Sequence, residues 1–288
     1  MEQRIISGVV GAALLAVVLA LHKTLVFPFA FAAIVGVILF ELVRAIGGLQ
    51  FKLATGAVLA YGILSIILPS LLDARIFGDS WQIAVLYFYD VLMPVCLTLI
   101  FWDYMRHPKT FTIEQGAFMI ASMILVVNSF KMLLALNHDE NHSLFYVILA
   151  LCGAWIADTG AYFSGVAMGK TKLCPEISPK KTVEGFIGGL VSNTLLFVLI
   201  FFLYARANGI YFGLSEALKS GLLGLVCAGV SVLGDLTASV IKRQKGIKDY
   251  GNIMPGHGGL MDRFDSVLFV IPAFYWYVQL FPILYPIF

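Results

Sequence analysis

The chain has 288 residues, of which 60% are hydrophobic and 12% charged, against about 45–50% and about 25% in soluble domains. A soluble globular domain is thereby excluded, because it would have to hide far too much apolar surface. The formal net charge of +2 says little by itself; where the charges fall matters more, and no nucleic-acid partner is expected.

Several apolar runs approach the roughly 20 residues that a helix needs to cross a bilayer. The expected fold is an all-α polytopic membrane protein of about nine transmembrane helices. In chain order the predicted spans are Ile5–Leu21, Leu25–Val43, Leu53–Leu72, Ile83–Trp102, Gly116–Leu136, Leu144–Met168, Phe186–Ala205, Ser220–Ile241 and Phe264–Tyr285. The opening MEQR followed by an apolar run resembles a signal peptide, but further spans follow at once, so a retained first helix is expected. Pro28, Pro69, Pro94 and Pro272 fall within spans, where proline gives kinks or ends rather than breaks. Cys96, Cys152, Cys174 and Cys227 show no CxxC or Cys/His spacing and read as packing residues. No internal duplication is visible. Residues 1–136 form an expected N-terminal scaffold of five spans, and residues 137–288 a catalytic region of four spans with two motif loops.

Nine spans put the termini on opposite sides. Fourteen lysines and arginines then fall on the side of the N-terminus and four on the other, with Lys131 inside a span. Positive-inside bias therefore predicts a cytosolic N-terminus and cytosolic motif loops.

Ionisable residues inside spans are expensive and therefore informative. Glu41 lies next to the cytosolic end of its span and is expected to snorkel. Asp90 and Lys131 lie at similar depths, about 8–10 Å from the outer ends of adjacent spans, and are predicted to form an ion pair. Asp158 and Asp235 lie in the cytosolic halves of their spans. Asp158 with Tyr162, and Ser231 with Asp235 and Ser239, line single helix faces at i, i+4 spacing, with Lys242 near the second line. Such a stripe should border a wet cavity.

The loop after the sixth span contains Lys180, Lys181 and Thr182 just before Glu184 and Gly185. Thr182–Gly185 is predicted to open the seventh span, offering amide N–H groups to an anion. GVAMGKT (Gly165–Thr171) looks like a P-loop but is one residue short and follows a membrane helix rather than a strand, so that reading is rejected.

The loop after the eighth span brackets His257 with Pro255-Gly256 and Gly258-Gly259, a pattern for sharp turns and close approach to a ligand. Asp262 and Asp265 follow at i, i+3. With Asp235 they are candidate ligands for Mg²⁺, which favours carboxylates together with phosphate oxygens and water. Lys242, Arg243, Lys248 and Arg263 supply cations for phosphates, and Asp249 could orient Lys248 or bind metal.

Ser239–Asp265 (SVIKRQKGIKDYGNIMPGHGGLMDRFD) resembles the signature of bacterial phosphatidate cytidylyltransferases. Asp158–Gly165 (DTGAYFSG) and Ser178–Gly185 (SPKKTVEG) are similar to further motifs of that family, in the same order. Many members have Gly where this chain has Lys180, and Trp where it has Val183. The resemblance implies transfer of a cytidylyl group from CTP to phosphatidate at the inner membrane, giving CDP-diacylglycerol and pyrophosphate. It also implies Mg²⁺, with a monovalent cation such as K⁺ beside it. Asp235, Lys248, Asp249, His257, Asp262, Arg263 and Asp265 are then the expected catalytic set, with Asp235, Asp262 and Asp265 as metal ligands. Asp158, Tyr162, Lys180, Lys181, Thr182, Ser239, Lys242 and Arg243 would bind substrate. Membrane lipids are expected neighbours, and a homodimer is left open.

Two other classes compete. A different membrane phosphotransferase could use similar charges, although the D-G-x-x-A-R motif of CDP-alcohol phosphatidyltransferases is missing. A transporter could also hold intramembrane charges, but it would gather them at mid-membrane rather than in loops.

Overall fold

A computed structural model describes residues 2–76, 79–139 and 141–284. It is almost entirely helical. The helices are α1 (Glu2–Ala20), α2 (Val26–Ala45), α3 (Lys52–Asp73), α4 (Asp79–Arg106), α5 (Ile113–Leu136), α6 (Ser143–Met168), α7 (Val183–Ala207), α8 (Leu214–Gln244), α9 (Met261–Phe264) and α10 (Val267–Leu280). A 3₁₀ turn covers Gly48–Gln50, and strands β1 (Lys172–Cys174) and β2 (Ser178–Thr182) form an antiparallel hairpin between α6 and α7. The hairpin falls in a loop that the sequence left without structure.

Among the described residues seven helices, α2 to α8, are long and apolar enough to cross a bilayer. The chain is an all-α polytopic membrane protein. The first expected span corresponds to α1, whose apolar part is Ile6–Ala20. The ninth is shorter than expected. Helix α10 has 14 residues, about 21 Å at ~1.5 Å per residue, and a separate four-residue helix precedes it. The predicted end of that span, Tyr285, lies outside the described residues. Pro28, Pro69, Pro94 and Pro272 all sit inside continuous helices. All four cysteines are free thiols, Cys96 and Cys227 fully buried.

The chain divides into two compact units. One comprises residues 1–138 and 244–263, the other residues 139–243 and 264–288. In the first, α2 presents Phe27, Phe31, Val35, Ile38, Leu39 and Leu42 along one side, all buried, as an i, i+4 stripe requires. It packs on α1, α3 and α5, and Phe31 meets Phe130 of α5 at 5.5 Å between ring centroids. Gly62 of α3 lets that helix lie close against Val35 and Leu39. Helix α5 starts with a capping box: Gln115 N donates to Thr112 Oγ1 at 3.2 Å, and Thr112 N donates to Gln115 Oε1 at 3.1 Å. The segment 244–263, which carries the glycine-rich motif, folds with these N-terminal helices.

The second unit is held by small residues. Gly160, Ser164, Gly188 and Ser192 interleave along α6 and α7, and Gly189 sits against the Ala157 carbonyl. Phe197 of α7 packs on Gly224 of α8, where Asn193 Nδ2 donates to the Gly224 carbonyl at 2.7 Å. Gly234 of α8 lies against the backbone of Asp265 and Ser266.

The expected ion pair between Asp90 and Lys131 does not form. The Lys131 ammonium lies over the Tyr89 ring, 5.2 Å from its centroid, while Asp90 is exposed. Successive helical residues point about 100° apart, so a lysine held by Tyr89 is turned away from Asp90.

Candidate active site

In the first unit the glycine-rich loop turns twice on itself. His257 N donates to the Met254 carbonyl at 2.8 Å and Met254 N to the Gly258 carbonyl at 3.0 Å. Gly256 and Gly258 have φ of 76° and 88°, a region that only glycine enters cheaply.

Three side chains pin this turn. Asp262 Oδ2 accepts from Tyr250 N at 2.7 Å and Gly259 N at 3.0 Å, stapling the two ends of the loop together. Glu41 of α2 accepts from Leu260 N at 3.2 Å and Met261 N at 2.8 Å, where α9 begins. Arg44, one turn along α2, donates to the Tyr250 carbonyl. Gly251 and Gly259 lie so close to the Glu41 carboxylate that neither has room for a Cβ.

Glu41 therefore does not snorkel to water. It is 1% exposed and anchors the motif loop, because amides at a helix start need an acceptor and a carboxylate is the strongest available. The sequence did carry a signal, a lone acid in an apolar span. Nearness to the span's end pointed to the wrong explanation.

The turn borders an open cavity of about 590 Å³, lined by Lys248, Asp249, Asn252, His257 and Arg263 together with Met254, Pro255, Gly256 and Gly258. Two cations, an amide side chain and an imidazole suit a polyanionic phosphate group. Helix α1 contributes as well: Ser7 Oγ donates to the Pro255 carbonyl at 3.0 Å and bonds His257 Nδ1 at 2.8 Å. Neither Ser7 nor Arg44 was singled out by sequence.

In the second unit the hairpin delivers Lys181 to Asp235 of α8, forming an ion pair in which both side chains are about one-quarter exposed. Asp158 of α6 and Asp265 lie within electrostatic range of Asp235 and of each other, with Lys181 acting on Asp158 and Lys242 on Asp265. Helix α7 opens where the motif placed it, but Thr182 caps it, its Oγ1 accepting from Gly185 N at 3.1 Å, so that amide is taken by the cap rather than offered to an anion. Glu184 closes the hairpin by accepting from Lys170 N and Thr171 N at 3.0 and 3.1 Å. Arg243 reaches the Ile177 carbonyl at the hairpin end. Lys180 and Tyr162 are exposed and Ser239 is half-buried. Asp265 lies in the turn between α9 and α10, where its Oδ1 accepts from Ser266 N at 2.7 Å.

Asp158, Asp235, Asp262 and Asp265 offer carboxylate oxygens, the donor type that a hard divalent cation takes, with Lys181 beside Asp235 as an opposing charge. Among the described residues no three His, Cys, Asp or Glu side chains form a ready cage.

A family model described as the cytidylyltransferase family matches residues 2–281. The chain belongs to the cytidylyltransferase family. It is accordingly a nucleotidyltransferase enzyme. The phosphatidate cytidylyltransferase of Bacillus subtilis strain 168 is 36% identical to this cytidylyltransferase over 282 residues, 98% of each chain. That of Staphylococcus aureus strain COL is 33% identical over 244 residues, 84% of this chain and 86% of its own. That of Haemophilus influenzae Rd is 43% identical over 139 residues, about half of each.

Proposed function

We propose that this cytidylyltransferase transfers the cytidylyl group of CTP to phosphatidate in a Mg²⁺-dependent reaction at the cytosolic face of the inner membrane. A phosphatidate oxygen attacks the α-phosphorus of CTP. The bond from that phosphorus to the oxygen bridging to the β-phosphate breaks, CDP-diacylglycerol forms and pyrophosphate leaves.

The observation that carries this reading is the phosphate-suited cavity on the glycine turn, with Lys248 and Arg263 on its wall, in a chain that matches phosphatidate cytidylyltransferases along nearly its whole length. Displacement at phosphorus asks for positioning and charge neutralisation more than for strong acid–base power. Lys248 and Arg263 hold phosphate oxygens, and Asp249 orients Lys248. Lys180 and Lys181 meet phosphate from the hairpin, and Lys242 and Arg243 from the end of α8. Asp158, Tyr162 and Ser239 shape the path of the substrate. Asp262 in the first unit, and Asp235 with Asp265 in the second, are the carboxylates proposed to meet Mg²⁺. The chemistry supplied by that ion is neutralisation of phosphate charge, with K⁺ as a further candidate beside it.

The test is direct. Purified protein is incubated with α-labelled CTP, phosphatidate and Mg²⁺, with each omitted in turn. Label is expected in the lipid phase only when all three are present, with pyrophosphate released in equal amount. Absence of lipid-linked cytidylate under every condition would return the choice to another membrane phosphotransferase.

A further inference from the structure

We propose that Ser7 is a positioning residue that sets the tautomer of His257, so that the neutral imidazole presents Nε2 to the phosphate cavity as a proton acceptor.

The Ser7 hydroxyl has one proton and two lone pairs. It stands 3.0 Å from the Pro255 carbonyl oxygen and 2.8 Å from His257 Nδ1. A carbonyl oxygen can only accept, so that contact takes the hydroxyl proton. The contact with the ring then needs its proton from the other side: Nδ1 carries N–H and donates to Ser7 Oγ. With Nδ1 protonated, the neutral ring bears its lone pair on Nε2.

Nε2 makes no hydrogen bond to the described residues, and the ring lines the cavity together with Lys248, Asp249, Asn252 and Arg263. The backbone of α1 keeps the ring in place. A Cβ on Gly8 would come to 3.4 Å from His257 Cε1, and one on Gly11 to 3.0 Å from the Met254 methyl. The first helix thus holds the turn through small residues that permit close approach.

The ligand chemistry follows from the cavity wall. Lys248 and Arg263 favour phosphate oxygens. An imidazole acceptor beside them matches a phosphate monoester in its singly protonated form. The P–O–H proton passes to Nε2, the oxygen is left with full negative charge, and the ring becomes cationic with Nε2–H directed at that oxygen. The Nδ1–H bond to Ser7 is unchanged throughout. This inference rests on the proposed transfer to phosphatidate, whose phosphate is such a monoester.

The experiment joins a spectroscopic reading with turnover. Protein labelled with ¹⁵N in histidine is purified in detergent, and its five histidines are resolved by comparison with His257→Gln. In its neutral form His257 is expected to show protonated Nδ1 and unprotonated Nε2. Ser7→Ala, a favourable helix residue, should redistribute the proton over both nitrogens and lower kcat roughly tenfold, with little change in KM for CTP, as partial loss of an acid–base contribution. Ser7→Thr keeps the hydroxyl and should restore both readings. An Nε2–H tautomer in the wild-type protein would overturn the inference. So would a Ser7→Ala enzyme whose tautomer or kcat matches wild type. Should the wild-type protein show the expected tautomer and yet no transfer to phosphatidate, the functional reading fails and the tautomer assignment stands.

Discussion

Glu41 shows how one side chain can be misread from its neighbours in sequence. Its position at the end of an apolar helix suggested a carboxylate reaching for water. Instead it is buried against amides more than two hundred residues away. Leaving a buried amide without an acceptor costs about 1–3 kcal/mol, and Glu41→Ala would strand two. It is expected to lower thermal stability and reduce transfer at least about tenfold through misplacement of the turn. Glu41→Gln, which keeps one acceptor oxygen, should be milder in both. Thermal inactivation and CTP turnover in the same membranes check the ordering. Gly259→Ala is expected to destabilise by about 1–3 kcal/mol, as overpacking does, because its methyl would meet the Glu41 carboxylate; a melting curve of the purified variant reads this out. Asp262 is the sharper case, since it staples the loop and is also a proposed Mg²⁺ ligand. Asp262→Asn keeps an oxygen that can accept but removes the charge. Turnover should fall by at least about a hundredfold while the protein stays folded in membranes. Near-normal turnover would remove Asp262 from the ligand set.

At the level of elements, the hairpin and the cap of α7 work together. Residues 170–182 are short, basic and rich in Pro and Lys, a composition that signals a loop more than a strand. What makes them a hairpin is closure from outside the strands: Glu184 accepts from Lys170 and Thr171, and Val183 N donates to the Thr171 carbonyl at 2.9 Å. Lys181 then has a defined place beside Asp235. The start of α7 at Thr182 was readable in advance because it is local; the cap itself, a threonine hydroxyl accepting the amide three residues on, was not singled out. Thr182→Ala is expected to cost about 1 kcal/mol and to lower turnover several-fold by loosening Lys181, whereas Thr182→Ser should retain both. A melting curve with a parallel CTP assay measures the two effects. The failed Asp90–Lys131 pair teaches the complementary lesson. Similar depth in adjacent helices does not fix rotation about the helix axis, and Tyr89 decided which way Lys131 turned.

For the molecule as a whole, hydropathy carried most of the fold. Helices α2 to α8 were visible as apolar runs because every backbone group in lipid must be satisfied within its own segment. The ends were less legible: α10 is separated from α9 by a two-residue turn at Asp265–Ser266, a local backbone event that hydropathy averages away. The charge asymmetry makes a prediction at this scale. In a background lacking the four native cysteines, a cysteine at Gly246 should be shielded from an impermeant maleimide in intact cells and react after permeabilisation. A cysteine at Lys23 should react in both. The reverse pattern would invert the proposed topology.

Composition was enough to establish a helical membrane protein, and motif spacing to mark Asp158, Asp235 and the 239–265 segment as the residues worth attention, because charges within apolar runs and glycines around a histidine are local, costly features; the enzyme class came from the family resemblance of those motifs. They could not indicate that the glycine-rich segment leans on the first two helices, through Ser7, Glu41 and Arg44. Those contacts join positions more than two hundred residues apart, and only the folding of the backbone brings a carboxylate on one helix to the unpaired amides at the start of another.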